Sequence, residues 1–253
     1  MSELSVRYKK SVSTLKRQFD KYENSSEVNS TSEKELTLVM DATFFSRKFG
    51  VLIFRSNSKN IIWKYIESEK INYYKHLLLE LKSKGFIFKS FTIDGRRGVR
   101  QMLNLTFPGV PVQQCQFHQI FSVTTYLSKN PKLNAGKELR QLSLTLSKTS
   151  KEVFTNSLEN WYGRWEQFLK EKTKNEETGK EYYTHRKLRS AYSSLKNNLD
   201  YLFTYEEFPD LEIPKTTNSC DGSFAHWKSK VKLHRGLAKE RKKKMIDYLL
   251  KKC

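Results

Sequence analysis

The run Leu36-Thr37-Leu38-Val39-Met40-Asp41-Ala42-Thr43-Phe44-Phe45 reads as a β-strand: it is mostly apolar, ends in aromatics and contains no Gly or Pro. Phe49 to Ser56 and Ile61 to Ile66 follow as two more strands, after short polar connections suited to antiparallel pairing. Ile71, Tyr74, Leu77, Leu78 and Leu81 then make a helical face, closed by Gly85. Phe86 to Ile93 returns as a strand, residues 97–105 form a short helix, and Val110 to Gln114 is a fifth strand. The order βββαβαβ over residues 36–128 predicts an α/β fold, a five-stranded mixed sheet flanked by helices.

Residues 129–212 lose the strand signal and carry apolar residues at helical spacing: Leu139, Leu142 and Leu146, then Leu158, Trp161 and Trp165, then Leu188, Tyr192 and Leu195. They are expected to form an all-helical insertion, with the charged stretch at residues 172–181 as a mobile connection. Residues 213–253 return as helices that complete the core and end in a basic tail, since residues 228–252 hold eleven Lys or Arg against Glu240 and Asp247. Residues 24–35 lack apolar periodicity and read as a linker. Residues 1–23 carry a stripe of Val12, Leu15, Phe19 and Tyr22 behind Ser11, which sits where an N-cap belongs. This segment is either the latter half of a DNA-binding helix-turn-helix or a short amphipathic helix packed on the main domain.

The chain carries 47 Lys and Arg against 27 Asp and Glu, a formal net charge of +20. An excess of this size points first to nucleic acid, although a basic enzyme of another class shows the same balance. Hydrophobic residues at 37% and aromatics at 13% suffice for a core and exclude a wholly disordered basic tail. The longest aliphatic run, Leu77-Leu78-Leu79, is far short of the roughly 20 apolar residues that span a bilayer. The polar start has no apolar signal core, and three scattered cysteines, Cys115, Cys220 and Cys253, do not make a disulfide framework. A reducing, cytoplasmic setting with no membrane partner is expected.

Two aspartates end apolar strands: Asp41 closes the run from Leu36, and Asp94 the run from Phe86. A carboxylate in such a place is costly unless hydrogen-bonded, paired or bound to a cation, and strand ends of α/β sheets also collect ligands. Either aspartate alone could simply open a turn. The pair, in so basic a chain, favours a divalent-metal site acting on phosphodiesters. Asp221, in Thr216-Thr217-Asn218-Ser219-Cys220-Asp221-Gly222, is either a third ligand or the N3 residue of a helix capped by Asn218. Cys115 and His118 are either a buried thiol beside a satisfied histidine or half of a zinc site that Cys220 and His226 would complete. The chain has no Gly-x-x-x-x-Gly-Lys-Ser/Thr loop and no His-Glu-x-x-His pair, so P-loop and zincin chemistry find no support.

In their order, the segments Leu38–Phe45, Thr92-Ile93-Asp94-Gly95-Arg96-Arg97-Gly98, Cys115-Gln116-Phe117-His118, Thr217–Phe224 and His234–Lys243 resemble the landmarks of Mutator-type (MULE-like) insertion-sequence transposases, from about residue 36 to 250. The resemblance implies an RNase H-like DDE catalytic domain, with the helical insertion lying between the second and third catalytic acids. It makes Asp41, Asp94 and Asp221 the catalytic, metal-binding triad. Two Mg²⁺ (or Mn²⁺) ions are expected, and the reaction is DNA cleavage and strand transfer at insertion-sequence ends. The sequence departs from the pattern at one point, because the family usually has Glu where Asp221 stands. Asp is one methylene shorter, and about 1 Å of misplacement can cost on the order of 100-fold in rate. Family members also carry more sequence ahead of this point, so an N-terminally shortened element is expected.

Arg96, Arg97 and Arg100 follow Asp94 closely enough to contact flanking phosphates. Lys228, Lys230, Lys232, Arg235, Arg241, Lys242, Lys243 and Lys244 would hold the DNA backbone without reading bases, joined by Lys16 and Arg17 of the N-terminal helix. The implied partners are DNA, as terminal inverted repeats and target, and further copies of the chain, since joining two ends calls for a homo-oligomer. Two other readings stay open. One is a catalytically inactive, decayed descendant that keeps DNA binding; the other is an RNase H-like nuclease that cuts without strand transfer.

Overall fold

A computed structural model describes residues 2–21, 33–45, 49–234 and 236–251. Tyr22, residues 24–32 of the expected linker, Arg235 and Cys253 lie outside the described residues. In chain order the elements are α1 (Ser2–Tyr8), α2 (Val12–Lys21), β1 (Glu35–Phe45), β2 (Phe49–Ser56), β3 (Lys59–Ile66), α3 (Ile71–Ser83), β4 (Ile87–Ile93), α4 (Arg97–Thr106), β5 (Val112–Gln114) and α5 (Gln116–Leu127). Then come α6 (Asn134–Thr145), α7 (Lys151–Lys170), β6 (Lys172–Lys174), β7 (Glu181–Tyr183), α8 (Arg186–Lys196), the single turns α9 (Leu199–Leu202) and α10 (Thr204–Glu207), α11 (Asn218–Leu233) and α12 (Lys239–Lys251). The five-stranded sheet has the order β3-β2-β1-β4-β5 and is flanked by helices, consistent with an RNase H-like fold. It is mixed: β1 and β5 both run parallel to β4, and β2 is antiparallel to β3.

The chain divides into two compact units, Met1–Lys34 with Ala42–Lys84 and Ser219–Cys253, and Glu35–Asp41 with Gly85–Asn218. In the first, β2 and β3 join through Asn57 and Ser58, whose positive φ values of 44° and 65° make the two-residue turn that matches strand twist. Arg55, only 4% exposed, donates to Asn60 Oδ1 at 2.9 Å and also to the Ser219 carbonyl. Asn60 in turn donates to the Leu250 carbonyl at 2.9 Å. Ser11 accepts from the Thr14 N–H at 3.1 Å, as its N-cap place predicts. Asp20 near the end of α2 takes both prongs of Arg241, at 2.8 and 2.7 Å, which holds its carboxyl below the usual range.

Asp247 stands in the tail that composition marks as solvated charge, yet it is 4% exposed. It accepts from Trp63 Nε1 and the Tyr65 hydroxyl, each at 2.8 Å. Burial first, and then this carboxylate, push the Tyr65 hydroxyl far above its ordinary pKa. Asp247→Ala leaves both donors without this acceptor and is expected to cost about 2–4 kcal/mol in chemical denaturation. Asp247→Asn keeps an accepting oxygen and should lose about half as much.

In the second unit β5 begins at Val112, two residues later than its apolar run, because Pro111 has no N–H to give the ladder. The Pro111 carbonyl still accepts from the Phe91 N–H at 2.9 Å. The insertion packs on the expected residues: Leu139, Leu146, Leu158, Trp161, Leu188, Tyr192 and Leu195 are buried together, and Leu142 and Trp165 pack against them. One hairpin interrupts the otherwise helical insertion, for β6 and β7 pair in the stretch read as a mobile connection. Its strands have no apolar stripe. Arg186 and Arg189 hold them, lying 4.6 and 3.6 Å from the ring centroids of Tyr182 and Tyr183. Among the described residues no helix is long and apolar enough to cross a membrane.

Candidate functional site

Met40 and Ile93 are the last registered pair of the parallel neighbours β1 and β4. Neighbouring strands lie about 4.8 Å apart, so the next residues, Asp41 and Asp94, stand side by side. Asp41 lies inside β1, which runs on to Phe45 rather than ending at this acid, and is 7% exposed; Asp94 follows the last residue of β4 and is half-buried. Asp94 also opens a turn, its Oδ1 accepting from the Arg96 N–H at 3.2 Å.

α5 starts straight after β5 and carries His118 to the same place: a ring nitrogen of His118 and a carboxylate oxygen of Asp41 lie within 4.8 Å. Cys115 is buried, and its sulfur accepts from the Thr217 N–H at 3.3 Å and from the Thr217 hydroxyl at 3.5 Å. Thr217 Oγ1 lies 3.4 Å from His118 Nδ1. Burial would push the Cys115 thiol up, but hydrogen bonds with His118 and Thr217 outweigh it and hold the group below its ordinary pKa. The segment leading to Thr217 is stitched down as well, with its Pro214 carbonyl accepting from Thr92 Oγ1 at 2.9 Å and its Lys215 carbonyl from the Gln116 N–H at 3.0 Å.

Around this end of the sheet lies a set of residues that apolar patterning hides. Gln113, Gln114, Gln116 and Gln119 are all buried. Gln114 donates to Gln119, and Gln119 to Ser194, both at 2.9 Å, while Gln113 and Gln116 share the Leu202 carbonyl at 2.9 Å. These bonds tie β5 and α5 to α8 and α9. Arg100 belongs to the same network, donating to Gln114 and Asn198 at 3.1 and 2.8 Å and lying 4.0 Å from the Tyr201 ring centroid. Burial lowers its pKa. A Cβ at Gly95 would come within 3.1 Å of the Gln114 amide, so the turn after Asp94 rests directly on this cluster. The one sequence signal was the density of glutamine, four in the seven residues from Gln113 to Gln119.

Asp221 belongs to the first unit, half-buried in the first turn of α11. The bond from Arg55 to the Ser219 carbonyl anchors that turn two residues ahead of it. Lys228, Lys230 and Lys232 are exposed on the same helix, as are Lys16 and Arg17 on α2 and Arg96 and Arg97 at the start of α4. Arg241 and Lys244 are engaged with Asp20, and Lys243 pairs with Glu240 at 2.9 Å. Lys242 lies in the first turns of α12, partly buried, and Arg235 is outside the described residues.

Carboxylates are the hard oxygen donors that Mg²⁺ and Mn²⁺ take, and an imidazole beside Asp41 adds a nitrogen better suited to Mn²⁺ than to Mg²⁺. Asp41 with the His118 nitrogen beside it therefore fits part of a divalent-ion site. No curated protein matches the chain. The family model described as "Transposase, Mutator family" matches residues 53–198, more than half of the chain and a span that includes Asp94, Cys115 and His118; the chain belongs to the Mutator family of transposases.

Proposed function

We propose that this protein is a metal-dependent transposase that cleaves DNA at the ends of an insertion sequence and joins them to a target. The observation that carries this reading is the placement of Asp41 and Asp94 side by side on parallel neighbours, in a member of a family of DNA-acting enzymes. Asp41, Asp94 and Asp221 would hold two Mg²⁺ or Mn²⁺ ions, which supply a nucleophile at neutral pH and charge stabilisation at the leaving oxygen. The Asp94 turn bond orients one carboxylate. His118, steadied by Thr217 and Cys115, positions Asp41. Arg96 and Arg97 take phosphates flanking the cut, with Arg100 bracing them from within; Lys228, Lys230, Lys232, Arg235 and the α12 lysines take backbone further away. Lys16 and Arg17 extend that surface as part of a helix-turn-helix-like segment, and two copies of the chain bring two ends together. Cleavage exchanges a phosphodiester P–O3′ bond for a bond to water oxygen. Strand transfer breaks a P–O3′ bond of the target and forms a P–O bond to the freed 3′ oxygen; the attacking hydroxyl gives its proton to solvent, and the displaced target O3′ takes one up and leaves as a hydroxyl.

The test is a labelled element end incubated with plasmid target and Mn²⁺. Nicked and joined products are expected. Nicks without joining would make the protein an RNase H-like nuclease, and binding without either would make it the inactive descendant that Asp221 raises as a second reading. DNA binding itself should weaken steeply with salt, given a net charge of +20. If all three lysines exchange their present partners for phosphates, the triple variant Lys242→Ala, Lys243→Ala, Lys244→Ala should flatten the slope of log K against log salt by about two to three units in fluorescence anisotropy. An unchanged slope would remove these lysines from the phosphate contacts.

A further inference from the structure

The first unit carries an open cavity of about 510 Å³, within the ordinary range for a small-ligand site. Three of its lining residues are aromatic. Phe45 and Phe49 stack with centroids 5.6 Å apart, and Phe44 beside them is 36% exposed. The Phe44 ring lies against the backbone of β2 at Gly50, where a Cβ would come within 2.7 Å of it; only glycine leaves that room. Four more are cationic, Lys228 and Lys232 one turn apart on α11 and Lys239 and Lys242 on α12. Among the described residues that line it there is no acid.

A groove for duplex backbone needs the cations but has no use for the rings, and a site for an apolar ligand needs the rings but not the cations. Aromatic rings and ammonium groups lining one cavity match a base with phosphates on either side. A base within a duplex offers its face to its stacked neighbours, so only an unstacked one can enter. We propose that this cavity takes a single unpaired nucleotide of the bound DNA strand, its base on Phe44 and its flanking phosphates on the lysines. The inference rests on the DNA-binding reading above and adds to it a preference for DNA that carries an unpaired base.

Full-length protein is titrated at one salt concentration with three labelled probes: a blunt duplex, the same duplex with a one-nucleotide bulge, and that bulge made abasic. Stacking on an aromatic ring contributes enough that the bulged probe should bind about 5- to 150-fold tighter than the blunt one. The abasic bulge should lose that preference. Phe44→Ala should abolish it and Phe44→Tyr should keep it. Equal binding of blunt and bulged probes by the wild type overturns the pocket while leaving DNA binding in place, whereas no binding of any probe overturns both. A preference kept by the abasic probe assigns it to DNA flexibility and overturns base capture. Loss of the preference on adding free deoxyadenosine monophosphate at the probe's own concentration overturns the strand as occupant in favour of a mononucleotide.

Discussion

Asp41→Asn is expected to lower metal-dependent nicking by on the order of 10³-fold, about 4 kcal/mol of transition-state stabilisation, while leaving the fold intact. Asn has nearly the same shape and keeps an accepting oxygen, so the packing around this buried position survives. What it lacks is charge, and a carboxylate beside Asp94 is the charge a divalent ion needs. Removing it also relieves repulsion between neighbouring acids, so the metal-free variant should melt no lower than the wild type. Mn²⁺ should raise the melting temperature of the wild type and leave Asp41→Asn unmoved, since stabilisation by a ligand follows its affinity for the folded state. His118→Ala separates positioning from ligation. Loss of a residue that orients a ligand typically costs 10- to 100-fold, so its nicking should fall less than that of Asp41→Asn. Nicking by Asp41→Asn at the wild-type rate would remove Asp41 from the reaction.

On the proposed reading, Asp221 sets how active the protein is. As a ligand at the first turn of α11 it reaches one methylene less than the family's Glu. Asp221→Glu should therefore hold or raise nicking, by up to the ~100-fold that 1 Å of placement can be worth. Asp221→Asn should abolish it. As a mere N-terminal helix residue it predicts the opposite pattern, because Asn and Asp serve the start of a helix about equally well and neither should affect nicking. One assay on three proteins separates the cases. A silent wild type rescued by Glu identifies an element decayed at a single position.

The sheet was legible because each long strand is an apolar run bounded by polar or Gly-containing connections. Asp41 and Asp94 were legible as acids in costly places, and the register of Met40 with Ile93 turned that into adjacency. The approach of His118 to Asp41 was not, since it depends on how soon α5 begins after the short β5. The β6–β7 hairpin escaped because Lys172-Thr173-Lys174 and Glu181-Tyr182-Tyr183 do not alternate; arginines on α8 hold it through ring faces, a tertiary effect that no local period carries. Asp247 escaped for a related reason. Eleven basic neighbours make it look like surface charge, and its burial comes from Trp63 and Tyr65, more than 180 residues away.

The glutamines around β5 and α5 have a consequence for how the protein lets go of its substrate. Ion pairs weaken as salt shortens the reach of charge, to about 3 Å at 1 M, and the lysine contacts to phosphate proposed above would be of that kind. Gln113, Gln114, Gln116 and Gln119 are neutral amides inside the protein, bonded to other amides, a hydroxyl and carbonyls. Concentrated salt should therefore detach DNA without loosening the frame that carries Asp94, Cys115 and His118. Dilution alone should then restore a competent enzyme, with no refolding step between the released and the engaged protein.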